Sequence, residues 1–520
     1  MRSIRPRVLL VSLVVATIAA AAVGAWLLLP AERRNEAPIT VGTTDVVTSL
    51  DPAGAYDVGS WAMFGNIYQT LLTIRPGTAT PVPDAARSCG FTGTELRTYV
   101  CELRDGLRFP SGREVTAEDV EFSISRLRTI RSEVGPAPLF ATLASVTATG
   151  RTVRFQLSTG DATFPQKLAT GAGSIVDRTR YSARRLRDDP AADGSGPFRL
   201  KEYVAGAHAR LVPNPTYRGA ARKPEAPVVV RYYAGAERLA TAWRTGQLHV
   251  SHRQLPAAVI AGLDLADAGL RVTEAQSAEI RMLVFNVRPG SPLKRAPVRR
   301  AVAALVDRGR LAGGVHHSTV QPLYSLIPKG VLAHSNPFLD QYPLPSAAVA
   351  RELLERAGVE TPVPFTLAHR ADSGPALEAA ELKRQLEADG LFRVTVRAKA
   401  WTDFQQGYAR GEYDAFTLGW IPDFPDPDSF TQPLVSRHST LRNGYRSAAV
   451  EKLIAATQRE DVRSRTARDF TAIQQRVARD VPLVPLWQRK DYVLSTRQIG
   501  GSQYLTDGTG LWRLWQLKRL

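Results

Sequence analysis

Residues Tyr99 to Leu127 read YVCELRDGLRFPSGREVTAEDVEFSISRL. Tyr99, Cys101 and Leu103 alternate with Val100, Glu102 and Arg104, which is the period of a strand with one face buried. Asp105-Gly106 and Ser111-Gly112 are turn signals, and the piece between them is expected to form a short strand. Thr116 then caps a helix, with Asp119 three residues on in a variant of the capping box. Val120, Ile124 and Leu127 follow at helical spacing and share one face. The stretch predicts strand, turn, short strand, turn, helix.

Working outward, Ile39 to Gly42 is expected to be a strand, Leu50-Asp51-Pro52 a break, and Trp61 to Leu72 an apolar-rich helix. Gly194-Ser195-Gly196-Pro197 makes a tight turn before a strand over Phe198 to Tyr203. It lacks the Gly-Lys-Ser/Thr and following helix of a phosphate loop. Ala209 to Val212 is the next strand, ended by Asn214-Pro215, and Val228 to Tyr233 another. A helix over Ala236 to Thr245 has Gly246 past its end. Met282 to Val287 reads as a strand, and Pro297 opens a helix with Val298, Val302, Leu305 and Val306 on one face. Ser346 caps a further helix that ends at Gly358. Strands over Pro364 to Leu367 and Arg393 to Val396 flank a helix over Ala376 to Ala388, and Asp414 to Trp420 is a strand. Glu451 to Thr457 and Thr466 to Arg479 read as helices. The strand Val481 to Trp487 carries Pro482 and Pro485, which confines it to an edge or a domain-crossing segment. Strands alternating with helices argue an α/β fold.

Several of these pieces, in this order, resemble the extracellular solute-binding proteins of ABC importers, in the peptide and nickel class known as family 5. The resemblance rests on LRDGLRFPSGREVTAEDVEFSISR, with Pro110-Ser111 where that family usually has His-Asp. It rests also on Leu50-Asp51-Pro52 with Asn66, Tyr68 and Leu71, and on Gly194 to Phe198 with Asn214, Pro215 and Tyr217. Phe285, Asn286, Val298, Arg299, Ala301, Asp307 and Arg308 form another signature, and Ala350 to Gly358 a further one. The resemblance extends from Ile39 to Leu494. It implies a two-lobed, periplasmic-binding-protein-like (type II) α/β fold with a hinge and an extra domain inserted in the first lobe. The first lobe would comprise residues 39–76, 194–278 and 484–520, the inserted domain 77–193, and the second lobe 279–483.

A chain of 520 residues has room for two or three domains. Its 44% hydrophobic and 22% charged content is ordinary, but its net charge of +18 is not. Only ten of the 67 basic residues are lysines, and the arginines are scattered. No helix-turn-helix, zinc-finger or RNA-recognition pattern accompanies them, so the charge reads as compositional bias and no nucleic-acid partner is expected. A basic exterior favours anionic lipid or cell-wall polymer nearby.

Arg2, Arg5 and Arg7 precede Val8 to Leu29, a run of 22 uncharged residues. At about 1.5 Å per residue the run is long enough to cross the roughly 30 Å hydrocarbon core. The basic flank puts the remainder outside the cytoplasm. Residues 1–31 read equally as a signal peptide, with small residues at Val23-Gly24-Ala25, or as a retained transmembrane anchor. No Cys lies near the end of the run, which excludes a lipoprotein. The two cysteines, Cys89 and Cys101, are expected to form one disulfide in an exported chain; two separate buried thiols are the alternative.

No catalytic constellation is visible. Gly194-Ser195-Gly196 lacks nucleophile-elbow spacing, and His316-His317 is an adjacent pair whose side chains would point apart. No metal site and no cofactor are expected. The loop Gly419 to Asp428 gathers Asp423, Asp426 and Asp428 with Trp420 and Phe424 after a strand, where ligand crevices of open α/β sheets lie. It lacks the spacing of a calcium loop. A ligand cation taken out of water needs a carboxylate partner. The resemblance assigns Asp423 to a ligand's α-ammonium and Arg370 to the α-carboxylate of a dipeptide, for which the planar Arg fork is apt. Asp426 and Asp428, beside prolines, read as turn formers. Trp420, Trp61 and Trp401 are candidate pocket walls. The resemblance implies a monomeric binding protein, not an enzyme, that captures short peptides or a similar small solute and delivers them to ABC permease subunits. A membrane-tethered sensor or scaffold on the same fold, or a nickel or metallophore binder, are the alternatives.

Overall fold

Two long strands, Leu270–Phe285 and Leu483–Thr496, run antiparallel through the middle of the molecule and carry the chain between two bodies. The computed structural model describes residues 37–252, 255–371, 373–505 and 511–520. The run Val8 to Leu29 lies outside the described residues. Among the described residues no helix is long and apolar enough to cross a membrane.

The two strands are the centre of an 11-stranded mixed sheet. On one side of them lie Ala415–Trp420, Val363–Arg370 and Phe392–Lys399, in that order outward. On the other lie Val250–His252, Ile39–Thr43, Val228–Tyr232, His208–Pro213 and Phe198–Val204. The strand Val320–Pro322 pairs beside Leu483–Thr496. The long strands change cores midway. Ile280 to Phe285 and Leu483, Val484, Leu486 and Trp487 pack with Leu305, Leu367, Phe416 and Phe430. Val493 packs instead with Ile39, Phe64, Phe198, Val228 and Trp512. Between the two cores the register shifts: Lys490 faces Gln276 while Gln488 faces Ile280. The irregularity is filled by Gln488, whose Nε2 donates to Ser277 O at 2.8 Å and Lys329 O at 3.0 Å.

Pro482 and Pro485 thus mark the crossing segment, not an edge. Pro485 sits at a second register shift, opposite Met282, where a missing N–H is tolerated. The strand from 483 packs with the second core as far as Trp487, and Val493 with the other.

A separate four-stranded antiparallel sheet holds Ala86–Phe91, Thr98–Leu103, Thr152–Leu157 and Leu143–Thr149. The Tyr99 to Leu127 stretch builds it. Tyr99, Cys101 and Leu103 are buried together with Phe155 and with Val120, Ile124 and Leu127 of the helix Ala117–Ile130. Asp119 Oδ2 accepts from the Thr116 N–H at 2.9 Å, closing the helix start. The expected short strand is reduced to one bridge, Arg108 with Glu114. The turn closed by the Phe109 N–H to Arg113 O hydrogen bond leaves too few residues for more. Cys89 and Cys101 face each other in register and are bonded.

The helix expected over Trp61 to Leu72 instead spans Val58–Ile67. Asp57 caps it, its carboxylate accepting from the Ser60 N–H at 2.8 Å. Tyr68 leaves the helix extended, its hydroxyl bonding to Leu50 O at 2.8 Å, and Leu72–Ile74 becomes a strand paired with Pro81–Pro83. The Leu50-Asp51-Pro52 break has a structural partner. Nη1 and Nη2 of Arg126 each reach an Asp51 carboxylate oxygen at 2.6 Å, and both side chains are buried. The Arg187 N–H donates to the same carboxylate at 2.8 Å.

Removing one member of such a pair leaves an uncompensated buried charge. Arg126→Met is expected to cost about 3–5 kcal/mol. Chemical denaturation measures it. A loss below about 1 kcal/mol, the scale of an exposed pair, would show that this contact does not hold the helix Ala117–Ile130 to the first body.

Candidate functional site

The strand Ala415–Trp420 runs parallel to Val363–Arg370 on one side and antiparallel to Leu270–Phe285 on the other. Its last residue, Trp420, pairs with Ile280 beside the register shift. The loop that follows therefore emerges at the level where the chain crosses between the bodies. Two hydrogen bonds pin it. Trp420 Nε1 donates to Ser429 O at 2.7 Å, and the Asp423 N–H donates to Ser429 Oγ at 2.8 Å. Ser429 belongs to the helix Asp428–Val435, which closes the loop.

The side chain of Asp423 meets the other body. Tyr56 Oη lies 2.7 Å from each carboxylate oxygen. Tyr56 stands just before the helix Val58–Ile67, and its ring lies 5.3 Å from that of Trp61. Trp61 is fixed by its Nε1, which donates to Ala55 O at 3.2 Å, and by Gly171, where a Cβ would come within 3.0 Å of the indole. Trp61 also packs on two cores of the first body, so the wall it forms is a structural one too. Burial pushes the Asp423 carboxyl up to about 7, although the Tyr56 hydrogen bond and the charge of Lys167 pull it down. Burial raises the Tyr56 phenol as well, and the Asp423 charge adds to the effect.

A second contact between the bodies lies beside this one. Lys167, on the short helix Phe164–Leu168, donates to Asp161 Oδ2 at 2.7 Å. The Ala162 N–H donates to Gln458 O of the second body at 2.8 Å. Burial pushes the Asp161 carboxyl up, but Lys167 outweighs it and holds it below its ordinary range. Asp426 is held by Arg463 through two hydrogen bonds of 2.7 and 2.8 Å, and accepts from the Asp428 N–H at 2.9 Å. Asp428 is buried at the first turn of its helix, and burial pushes its carboxyl up to about 7. Asp426 thus shapes the turn, while Asp428 is an interior carboxylate.

Arg370 ends the strand Val363–Arg370, next to the strand that carries Trp420. Its guanidinium lies 5.8 Å from the ring centroid of Trp401, the first residue of the helix Trp401–Arg410. Trp401 is exposed and lies against Phe404. The structure thus gathers Asp423, Trp420 and Trp61 at one place between the bodies, and sets Arg370 with Trp401 at the neighbouring strand ends. His316 lies against Glu378 at 3.4 Å and against the Trp487 ring. Tyr56, Asp161, Lys167, Gln458 and Arg463 escaped the sequence reading. Asp161 alone carried a local signal, since Asp-x-Thr forms an Asx turn, with Asp161 accepting from the Thr163 N–H at 3.1 Å.

A family model described as bacterial extracellular solute-binding proteins, family 5 middle, matches residues 80–440, more than two-thirds of the chain. The chain belongs to this family. The probable D,D-dipeptide-binding periplasmic protein DdpA of Escherichia coli is 26% identical over 482 residues, covering 89% of this chain and 90% of that protein. The solved periplasmic binding protein DppA of Helicobacter pylori, in complex with the peptide STSA, superposes with a TM-score of 0.80. It is 20% identical and covers 94% of this chain and 100% of its own. The murein tripeptide binding protein MppA of Escherichia coli gives a TM-score of 0.79 at 20% identity, covering 93% and 98%. The fold is that of the two-lobed periplasmic binding proteins. Asp423 and Tyr56 therefore face each other between the two lobes of a family 5 solute-binding protein.

The folded protein holds the Asp423 proton more tightly than the unfolded chain, whose carboxyl has its ordinary value of 3.8. Stability from this group is fully present below about pH 4 and is lost as pH rises through about 7. Asp423→Asn, neutral throughout, is expected to flatten that part of the profile. Melting curves of both proteins across the window test this; parallel profiles would mean that Asp423 titrates as an exposed carboxyl.

Proposed function

We propose that this chain captures short peptides between its lobes and presents the closed, loaded form to the permease of an ABC importer. The carrying observation is Asp423. It is a carboxylate between the lobes, at the carboxyl end of a strand, with a phenol and, among the described residues, no cation as its hydrogen-bonded partner. A peptide α-ammonium supplies the missing charge, and the exchange of a neutral for a charged donor strengthens the bond. The likeness to a probable D,D-dipeptide-binding protein and to a binding protein solved with a peptide supports this reading.

The first lobe comprises residues 39–76, 194–276 and 490–520 with the four-stranded sheet unit of 77–193 attached. The second comprises 280–487. The hinge lies at 277–279 and 488–489, where the two strands lose register. Binding without covalent chemistry works by differential affinity. Ligand contacts made from both lobes exist only in the closed form, so the ligand shifts the population toward it. Tyr56 and Asp423 touch across the cleft, and a bound ammonium at Asp423 would take over that bridging role. Arg370, at the adjacent strand end, serves the carboxylate of a short ligand, moving from the Trp401 face to do so.

Asp423→Asn is expected to weaken binding of a dipeptide or tripeptide by about 10–100-fold, the loss of one charge-assisted hydrogen bond. Isothermal calorimetry on the mature protein reads it, and unchanged affinity for a peptide that does bind would remove Asp423 from the site. Arg370→Ala is expected to penalise free-carboxylate dipeptides more than their C-terminal amides; equal losses would assign Arg370 to the scaffold.

A further inference from the structure

Four carboxylates, Asp161, Asp423, Asp426 and Asp428, meet two cations, Lys167 and Arg463, where the lobes touch. Each cation is committed. Lys167 is hydrogen-bonded to Asp161 at 2.7 Å, and Arg463 holds Asp426 with two bonds. Asp423 and Asp428 are left with neutral partners. For Asp423 the partner is the Tyr56 hydroxyl. For Asp428 it is Gln458 Nε2, at a long 3.4 Å from Oδ2.

The other oxygen of Asp428, Oδ1, is buried and has no hydrogen-bond partner among the described residues, in a residue only 3% exposed. One helical turn on, Thr431 Oγ1 is likewise buried without a partner. Positions three apart on a helix share a face. A buried acceptor of this kind is costly unless a donor reaches it, and a carboxylate most of all. The Asp423 N–H donates at 2.8 Å to the Oγ of Ser429, the residue after Asp428, which ties the backbones that carry the two carboxyls together at the lobe boundary.

We propose that Asp428 is a second cation-reading carboxylate of the same site, and that the preferred ligands are peptides bearing a basic side chain in addition to the terminal ammonium. The inference rests on the peptide-binding reading above. Asp423 takes the α-ammonium. Asp428, five residues further along the loop, takes the ammonium or guanidinium of a side chain, with Thr431 as an additional acceptor. A neutral or acidic side chain leaves Asp428 Oδ1 unsatisfied or repelled, so selectivity comes from a buried group that only a cation relieves.

The test uses the mature protein freed of any co-purified ligand by mild unfolding and refolding. Tri-alanine is compared by calorimetry with tripeptides in which Lys, norleucine or Glu replaces each alanine in turn. Lys at one position is expected to bind at least about tenfold more tightly than norleucine there, which matches its chain length without the charge. Asp428→Asn is expected to abolish that preference, so that the Lys and norleucine peptides bind within about twofold of each other. The wild-type comparison stands even where the variant fails to fold. Norleucine binding as well as Lys at every position, with tri-alanine bound, overturns the inference and leaves the peptide reading intact. A Lys preference that survives in a folded Asp428→Asn protein assigns it to another residue and also overturns it. If no tripeptide binds, the peptide reading falls and the inference with it.

Discussion

The pairing of Leu270–Phe285 with Leu483–Thr496 is the constraint on which the site depends. A sheet that continued in register across both lobes would make one rigid body. Here the ladder breaks over three residues on one strand, and Gln488 donates to the Ser277 carbonyl within the break and to Lys329 O of a neighbouring loop. The break keeps the backbone polar groups bonded, as burial requires, yet leaves few ladder bonds to resist a change of angle. Arg489 adds a contact to Glu279 at 3.3 Å within the same few residues. On its other edge the crossing strand is paired with Val320–Pro322 at Trp487 to Arg489, so the interruption lies on the Leu270–Phe285 side alone, and the strand that ends at Trp420 delivers the Asp423 loop to its rim.

The buried charges divide into two kinds, and the division follows their work. Arg126 with Asp51, Lys167 with Asp161, and Arg463 with Asp426 are complete pairs, each with further hydrogen bonds to the remaining oxygens or nitrogens. Pairs of this kind contribute little net stability over an apolar contact but cost much when broken, so they fix which pieces lie together. Asp423 and Asp428 depart from that rule. A carboxyl pushed up to about 7 by burial is held in the less favourable state on purpose or not at all. On the peptide-binding reading proposed above, a ligand cation is what relieves both.

How far the sequence could be read depended on how local each cause is. The capping of Ala117–Ile130 by Thr116 and Asp119, and the alternation of Tyr99, Cys101 and Leu103, are set by neighbours within a few positions, and both were visible. The start of Val58–Ile67 was equally local, in Asp57 and Ser60, but the apolar run after Trp61 drew attention downstream of it. The two prolines of the crossing strand signalled an irregularity without telling which kind; only the register opposite Met282 does that. Tyr56 carried no signal at all. Its partner lies 367 positions away, and nothing in Ala-Tyr-Asp distinguishes a cleft tyrosine from any other. Arg370 was one arginine among many, and its neighbour Trp401 emerged only from the meeting of two strand ends.

The net charge of +18 and the acidic character of the cleft belong to different length scales. At physiological ionic strength charges separated by more than about 8 Å of solvent are largely screened from each other. A net positive exterior favours anionic partners and slows the approach of a cationic solute chiefly at low salt. Between the lobes solvent screening is weaker, and on the proposed reading the carboxylates within a few ångströms of a ligand would decide what is retained. A basic exterior around an acidic site is then no contradiction. On the proposed reading the exterior would act on the association rate, and the buried carboxylates on the dissociation rate, where most differences in affinity between related ligands arise.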